Sequence, residues 1–320
     1  MQTRTLITLL LLLASCSHSE LQKEGSSRRI VSLAPSVTET LFAIGAQAEV
    51  VGVCTFCDFP REVENIDRVG SYSTPNVEAI VAKRPDVVIG VPPNNPEAIV
   101  TLRQLGIPVV IVEVDTIEQI RTAIRTIAHE AGRAAQGDAL LIEMDKRMAA
   151  IRTRLEGAPQ RRVLMVVGQE PLIAVGSGIF LNELITQAHG VNIAAEANQP
   201  WTRLSLEVAV AKQPEVIIDG SMGSEETGKA AYLGMWKNFP TVPAVRDGRV
   251  HGTRSYTVLR PGPRLPDGFE EIARAMGTSI GTVRSRIHRG RLMLRKRMEG
   301  EPVRTRRRSV GNLKPVLGHN

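Results

Sequence analysis

The stretch that decides the fold occurs twice in the chain. Residues 76–89 read NVEAIVAKRPDVVI, and residues 205–218 read SLEVAVAKQPEVII. Each copy opens with a residue that commonly caps a helix N-terminus, and a glutamate follows two positions later (Glu78 and Glu207), where the helix dipole favours negative charge. A proline ends each predicted helix, and a β-branched apolar run follows it. The repeat therefore predicts a helix, a turn and a buried strand in two related halves.

The beginnings of the two halves correspond as well. A strand led by two arginines is predicted at residues 28–33 and again at 161–166, and after a loop each is followed by a helix that ends at glycine. Strands that alternate with helices predict largely parallel sheets. We therefore expect an α/β fold with two Rossmann-like lobes, over residues 28–130 and 159–276.

A segment between the halves predicts one long helix. From residue 131 to 155 apolar residues recur three and four positions apart, and charged residues fill the other face. The apolar positions are Leu141, Met144, Met148, Ile151 and Leu155. A flexible linker would be rich in glycine or serine. We expect a rigid spine over residues 131–158 that joins the lobes and leaves a ligand cleft between them.

The charge is distributed unevenly. The formal net charge is +7, but residues 277–320 hold twelve Lys and Arg against two Asp and Glu. The rest of the chain is therefore mildly acidic, and any argument for nucleic-acid binding from the basic composition rests on this last segment.

The first residues have the pattern of an export signal. A basic residue precedes a mainly apolar run at 6–14, which is too short to cross a bilayer, since a membrane-spanning helix needs about 20 residues. The ending Leu13-Ala14-Ser15-Cys16 resembles a bacterial lipobox, whose cysteine is lipidated; the alternative is an ordinary signal peptide with an incidental cysteine. We expect a signal peptide (1–15), a lipidated Cys16 and a tether (16–27), which together place the protein in the periplasm as a membrane-anchored lipoprotein.

Two further cysteines, Cys54 and Cys57, lie three residues apart. In an oxidising compartment they could close a small disulfide or stay as two buried thiols. Asp58 and Pro60 follow and indicate a loop, whereas a redox motif would lie at a helix N-terminus, so a structural role is favoured. The six histidines are scattered without zinc-site spacing, and no metal site is expected.

Three motifs together resemble a known family. They are SLAPSVTETL at residues 32–41, DFP at 58–60 and KRPDVVIG at 83–90. They resemble the cobalamin-binding proteins of ABC importers, within the helical-spine class that also carries haem and iron siderophores, and the resemblance extends to about Met276. It implies a binding protein rather than an enzyme, without a cofactor, that captures cobalamin and delivers it as a monomer to a permease dimer with its ATPase. Haem or a ferric siderophore is the alternative ligand.

The resemblance also implies which residues contact the ligand. A corrin ring needs apolar and aromatic walls with a few hydrogen bonds, at loops that follow the strands. The candidates are Pro35, Ser36, Phe56, Tyr72, Trp201, Tyr256 and Arg260. Core packing is the alternative for the aromatic residues, and a solvated surface position is the alternative for Arg260. Val91 occupies a place where some cobalamin binders have tryptophan.

The two glutamates of the repeat have a second interpretation. In similar proteins one surface glutamate of each lobe docks on arginines of the permease, and the resemblance assigns this role to Glu78 and Glu207. The alternative is a favourable charge in the first helical turn that needs no partner.

The end of the chain resembles a different family. Residues 271–291 are similar to the helix-turn-helix that closes extracytoplasmic-function sigma factors. There the candidate DNA contacts are Arg284, Arg286, Arg289 and Arg291. Because an exported chain meets no chromosome, we interpret residues 277–298 as a remnant helix-turn-helix fused to a binding protein, and 299–320 as a disordered basic tail. The rival hypotheses are a DNA-binding regulator, and a cell-envelope adhesion module that rests only on the anchor.

Overall fold

The computed structural model describes residues 28–92, 94–221, 234–253 and 255–277, without the side chains of residues 255 and 256. The predicted signal peptide, lipidated Cys16, tether and basic tail lie outside the described residues, and so does the predicted helix-turn-helix remnant beyond residue 277, with Arg284, Arg286, Arg289 and Arg291. No described helix is long and apolar enough to cross a membrane.

The N-terminal lobe is a parallel sheet with helices at its connections. Its strands are ordered β2-β1-β3-β4, and every neighbouring pair is parallel. The elements are β1 Ile30–Ser32, α1 Pro35–Ala43, β2 Val50–Val53, α2 Val77–Ala82, β3 Val87–Gly90, α3 Pro96–Gln104 and β4 Val109–Ile111. The fully buried strand β3 is the apolar run of the first repeat copy.

Two antiparallel helices follow, and the second of them corresponds to the predicted spine. They are α4 Ile117–Glu130 and α5 Ala134–Leu155. The predicted start at residue 131 is three residues early, because Gly132 adopts φ +66° in a tight turn between the helices. The 22 residues of α5 reach about 33 Å. All five apolar positions predicted for the spine are buried.

The C-terminal lobe repeats the first sheet and adds to it. The elements are β5 Arg161–Gln169, β6 Leu172–Val175, α6 Phe180–Gln187, β7 Gly190–Asn192, β8 Trp201–Arg203, α7 Leu206–Ala211, β9 Val216–Asp219, α8 Pro243–Arg246, β10 Val250–Gly252, α9 Ser255–Val258 and α10 Leu265–Ala275. The parallel order β7-β5-β9-β10 matches β2-β1-β3-β4 of the first lobe. The antiparallel strands β6 and β8 extend the sheet and were not predicted.

The two repeat copies agree in local geometry. Arg84 and Gln213, at the same position after the helix, both adopt a left-handed backbone, with φ of +46° and +48°. Arg29 and Arg162 each donate their backbone N–H to the carboxylate that follows the repeat proline, at 2.8 and 2.9 Å. The predicted α/β fold with two related lobes is therefore confirmed.

The last helix, α10, belongs to the core of the C-terminal lobe. Leu265, Phe269 and Ile272 are buried in one cluster with residues of α5 and α6. Its apolar face is thus covered by the spine and the second lobe.

Candidate ligand-binding site

A cavity of about 380 Å³ lies between the lobes. Its walls come from the segments that follow β1, β2, β3 and β4 in the first lobe, and from residues 259–261 of the second. Ligands of open α/β sheets bind at this end of the strands. A larger depression of about 800 Å³ surrounds the β5–β6 turn, and no predicted ligand residue lines it.

Five of the seven candidate ligand residues line this one cavity. They are Pro35, Ser36, Phe56, Tyr72 and Arg260. Phe56 is 53% exposed, so the core-packing alternative does not describe it. Residues up to 225 positions apart in sequence are therefore brought together as the resemblance implies.

Tyr72 is held in place by its hydroxyl group. The hydroxyl donates a hydrogen bond to the carbonyl oxygen of Pro92 at 2.6 Å. Burial and the nearby Asp115 carboxylate raise the pKa of Tyr72 above its ordinary value, so its hydroxyl stays neutral. The ring is therefore a fixed apolar wall with an uncharged polar tip.

The other two candidates lie elsewhere. Trp201 begins the edge strand β8, where it pairs with Val175, and it is 48% exposed outside the cavity lining. Tyr256 lies in α9, and its side chain is outside the described residues. Val91, which stands where tryptophan is found in some cobalamin binders, is buried and lines the cavity.

Arg260 is paired with carboxylates across the lobe boundary. Its guanidinium donates to Glu39 Oε1 at 2.9 Å, contacts Asp58, and reaches the Phe56 carbonyl oxygen at 3.3 Å. Burial alone would lower the pKa of Arg260, but the hydrogen bonds to Asp58 and Glu39 raise it, so the group stays charged. The solvated-surface alternative is wrong for this arginine, since it is 8% exposed.

Sequence reasoning missed Asn94, which ties three cavity segments together. Its Oδ1 accepts from the Val91 N–H at 2.7 Å, and its Nδ2 donates to the carbonyl oxygens of Leu33 at 3.3 Å and Tyr72 at 2.7 Å. Its place in a turn after β3 is the one sequence signal, and many asparagines share that feature.

The cysteine pair lies behind the cavity wall that carries Phe56. Both are buried thiols, with their sulfur atoms 2.9 Å apart. The hydrogen bond between them holds the pKa of Cys54 below its ordinary value, and the same contact with burial raises the pKa of Cys57. A disulfide stays a prediction for the oxidised protein. No group of His, Cys, Asp or Glu among the described residues could hold a metal ion.

The two repeat glutamates occupy equivalent surface positions. Glu78 and Glu207 are both exposed in the first turn of α2 and α7, after helix caps made by the side chains of Asn76 and Ser205. The Glu207 backbone N–H and the Ser205 side chain lower the pKa of the Glu207 carboxylate. Each lobe thus presents one glutamate in the same local frame.

Two models of known protein families match the sequence. The model of the periplasmic binding protein family matches residues 30–257, which is most of the chain, and the chain belongs to that family. A model of sigma-70 region 4 matches residues 268–294.

Individual relatives include vitamin B12-binding and haem-binding proteins. The vitamin B12-binding protein of Salmonella typhi is 32% identical over 220 residues, which cover 68% of this chain and 82% of the relative. The solved structure of the periplasmic vitamin B12-binding protein BtuF of Vibrio cholerae is 27% identical, with a TM-score of 0.69 over 78% of this chain and 96% of its own. The periplasmic haem-binding protein RhuT of Roseiflexus is also 27% identical, with a TM-score of 0.71 over 78% of this chain and 98% of its own.

Proposed function

We propose that this chain is the substrate-binding protein of an ABC importer and that its ligand is cobalamin. The observation that carries the proposal is the convergence of five predicted ligand residues on one cavity between the lobes. Its aromatic and apolar walls suit the faces of a corrin ring, and its few polar groups suit the amide side chains of the ring. Several vitamin B12-binding proteins among its relatives support the same ligand.

The proposal includes how the protein works in the cell. The lipid on Cys16 anchors it to the membrane, and the ligand enters the cleft from the periplasm. Glu78 and Glu207 then dock one lobe on each half of the permease, whose ATPase supplies the energy. The protein binds and releases its ligand as a monomer, without catalysis and without a cofactor of its own.

Haem is the second candidate ligand. A haem-binding neighbour resembles this chain as closely as the B12-binding structure does. Ferric siderophores belong to the same alternative by resemblance. Fold similarity therefore does not distinguish cobalamin from haem, and the chemistry of the cavity must do so.

A fluorescence titration tests the ligand. The chain has two tryptophans: Trp201 is half-exposed at the start of the edge strand β8, outside the described cavity lining, and Trp236 is fully buried in the second lobe. Cyanocobalamin is expected to quench the fluorescence saturably, and Trp201→Phe is expected to remove most of this response while Trp236→Phe keeps it. Saturable quenching by haemin alone would establish the second candidate, and no quenching by either would contradict both.

A further inference from the structure

One charged side chain lines the cavity beside its apolar and hydroxyl-bearing residues, and that charge is neutralised. Among the lining residues that the structure describes, Arg260 is the charged one. It contacts Glu39 and Asp58, and Arg264 pairs with the same Glu39 at 2.7 Å. The Glu39 side chain is 1% exposed, so water screens this cluster weakly. The two arginines and two carboxylates sum to zero charge.

The cluster joins the lobes at the wall of the cavity. Glu39 lies in α1 of the first lobe, whereas Arg260 and Arg264 lie in the segment between α9 and α10 of the second. On the far side of this wall a second groove of about 490 Å³ is lined by Glu39, Phe59 and Arg264. The Arg264 guanidinium stacks over the Phe59 ring, 4.2 Å from its centre. Arg260 of the second lobe is thus held by Glu39, Asp58 and the Phe56 carbonyl oxygen of the first lobe.

We propose that Glu39 and Asp58 determine ligand selectivity: by neutralising Arg260, they make the cavity accept an electroneutral ring and disfavour a ring with anionic side groups. This inference rests on the proposed function and names the class of ligand. Cyanocobalamin is electroneutral overall, whereas haem carries two propionates. An uncompensated arginine in an apolar cavity would attract a propionate, because charges interact strongly where the dielectric constant is low. A paired arginine offers hydrogen bonds without that attraction.

Tyr72 is poorly suited to bind haem iron. Haem iron takes an axial ligand from His, Cys, Met or Tyr. Among the described lining residues Tyr72 is the one of these types, and its hydroxyl already donates to the Pro92 carbonyl oxygen. Asp115 lies close enough to raise the pKa of Tyr72, which disfavours the tyrosinate that would bind iron.

The test compares the selectivity of charge variants. Wild type, Glu39→Gln and Asp58→Asn, each as the full chain, are titrated with cyanocobalamin and with haemin. Each variant removes one negative charge from the cluster, so the ratio of the two Kd values is expected to shift toward haemin by about tenfold, which corresponds to about 1.4 kcal/mol. For Asp58→Asn, whose native side chain is 49% exposed, the shift is expected to shrink as the salt concentration rises, which a merely structural effect would not do. Glu62→Gln, an exposed carboxylate of the same loop, is the matched control.

Further variants separate an effect of charge from a loss of folding. If Glu39→Gln does not fold, Asp58→Asn provides the test of selectivity, because the Asp58 side chain is 49% exposed and its replacement disturbs the core less. The double variant Glu39→Gln with Arg260→Gln should return the ratio to its wild-type value. An unchanged ratio in folded Asp58→Asn, with cyanocobalamin still bound, would overturn the inference and leave the proposed function standing. Tighter binding of haemin than of cyanocobalamin by wild type would overturn both.

Discussion

Asn94 holds the cavity wall together through one buried amide. Its side chain bonds the ends of β1 and β3 and the backbone of Tyr72, and the residue is 5% exposed. Asn94→Ala would leave these buried groups unpaired, and each such group costs about 1–3 kcal/mol. We expect a loss of about 3 kcal/mol or more of unfolding free energy, measured by denaturant titration, and about tenfold weaker ligand binding.

The neighbouring asparagine is the control for this prediction. Asn95 caps α3 by accepting from the backbone N–H groups of Glu97 and Ala98, and it does not line the cavity. Asn95→Ala is expected to cost about 1 kcal/mol of stability, as a lost cap does, with ligand affinity unchanged. Equal losses of affinity in both variants would contradict a specific role of Asn94.

At the scale of residues, the sequence indicated several residues of the candidate site but not the side chains that they pair with. Pro35 follows the first predicted strand inside a motif of the resemblance, Tyr72 precedes the repeat helix, and Arg260 is a candidate through the resemblance alone. The pairing of Arg260 with Glu39 spans 221 residues and depends on how two lobes meet, so no local pattern could reveal it. Asn94 was missed because an asparagine in a turn has many ordinary roles.

At the scale of elements, the repeat was predictable and its additions were not. The helix-turn-strand copies carry a cap, a proline and a continuous apolar run, all of which are local signals. Strand β8 is three residues long and has no such signal, and β6 forms only because β5 is long enough to pair with both β6 and β7. Tertiary pairing, rather than local propensity, decides these strands.

The close approach of α4 and α5 depends on Gly137. A Cβ atom built at Gly137 would lie 2.5 Å from the Ala128 Cβ atom of the facing helix. Gly137→Ala would therefore push the helices apart, although alanine favours the helix itself by about 1 kcal/mol. We expect a net loss of about 1–3 kcal/mol in unfolding free energy, as for other overpacked cores. Denaturant unfolding followed by circular dichroism measures it.

A compensating change separates packing from propensity at this helix contact. Adding Ala128→Gly to Gly137→Ala removes the clashing methyl group and should recover part of the lost stability. The coupling between the two changes is expected to exceed 0.5 kcal/mol, as for residues in contact. Additive effects would mean that the helices do not meet at this pair.

At the scale of the whole molecule, the two lobes carry equivalent surface glutamates, which the proposed docking places on the two halves of a permease. Glu78→Ala and Glu207→Ala are each expected to reduce uptake of labelled cyanocobalamin through the cognate importer about tenfold, and the double variant more, with ligand affinity unchanged. Glu97→Ala is a matched control, because Glu97 is also exposed in the first turn of a helix capped by asparagine. An equal loss of uptake with Glu97→Ala would contradict docking through the repeat glutamates.

The packing of the last helix, α10, favours ligand binding over DNA binding. The sigma-70 region 4 match begins at residue 268, inside α10, and Phe269, Ile272 and Ala273 of that helix are buried in the lobe core. A helix-turn-helix would need this same helix to pack on its own partner helix, so a folded second lobe and a folded DNA-binding unit compete for one apolar face.

We therefore expect a chain ending at Gly277 to bind cyanocobalamin with the same Kd as the full chain, measured by the same fluorescence titration. The full chain is expected to bind promoter DNA no more tightly than DNA of random sequence in a gel-shift assay. A lower affinity for cyanocobalamin in the shorter chain, or sequence-specific DNA binding by the full chain, would mean that the final residues serve the protein rather than accompany it.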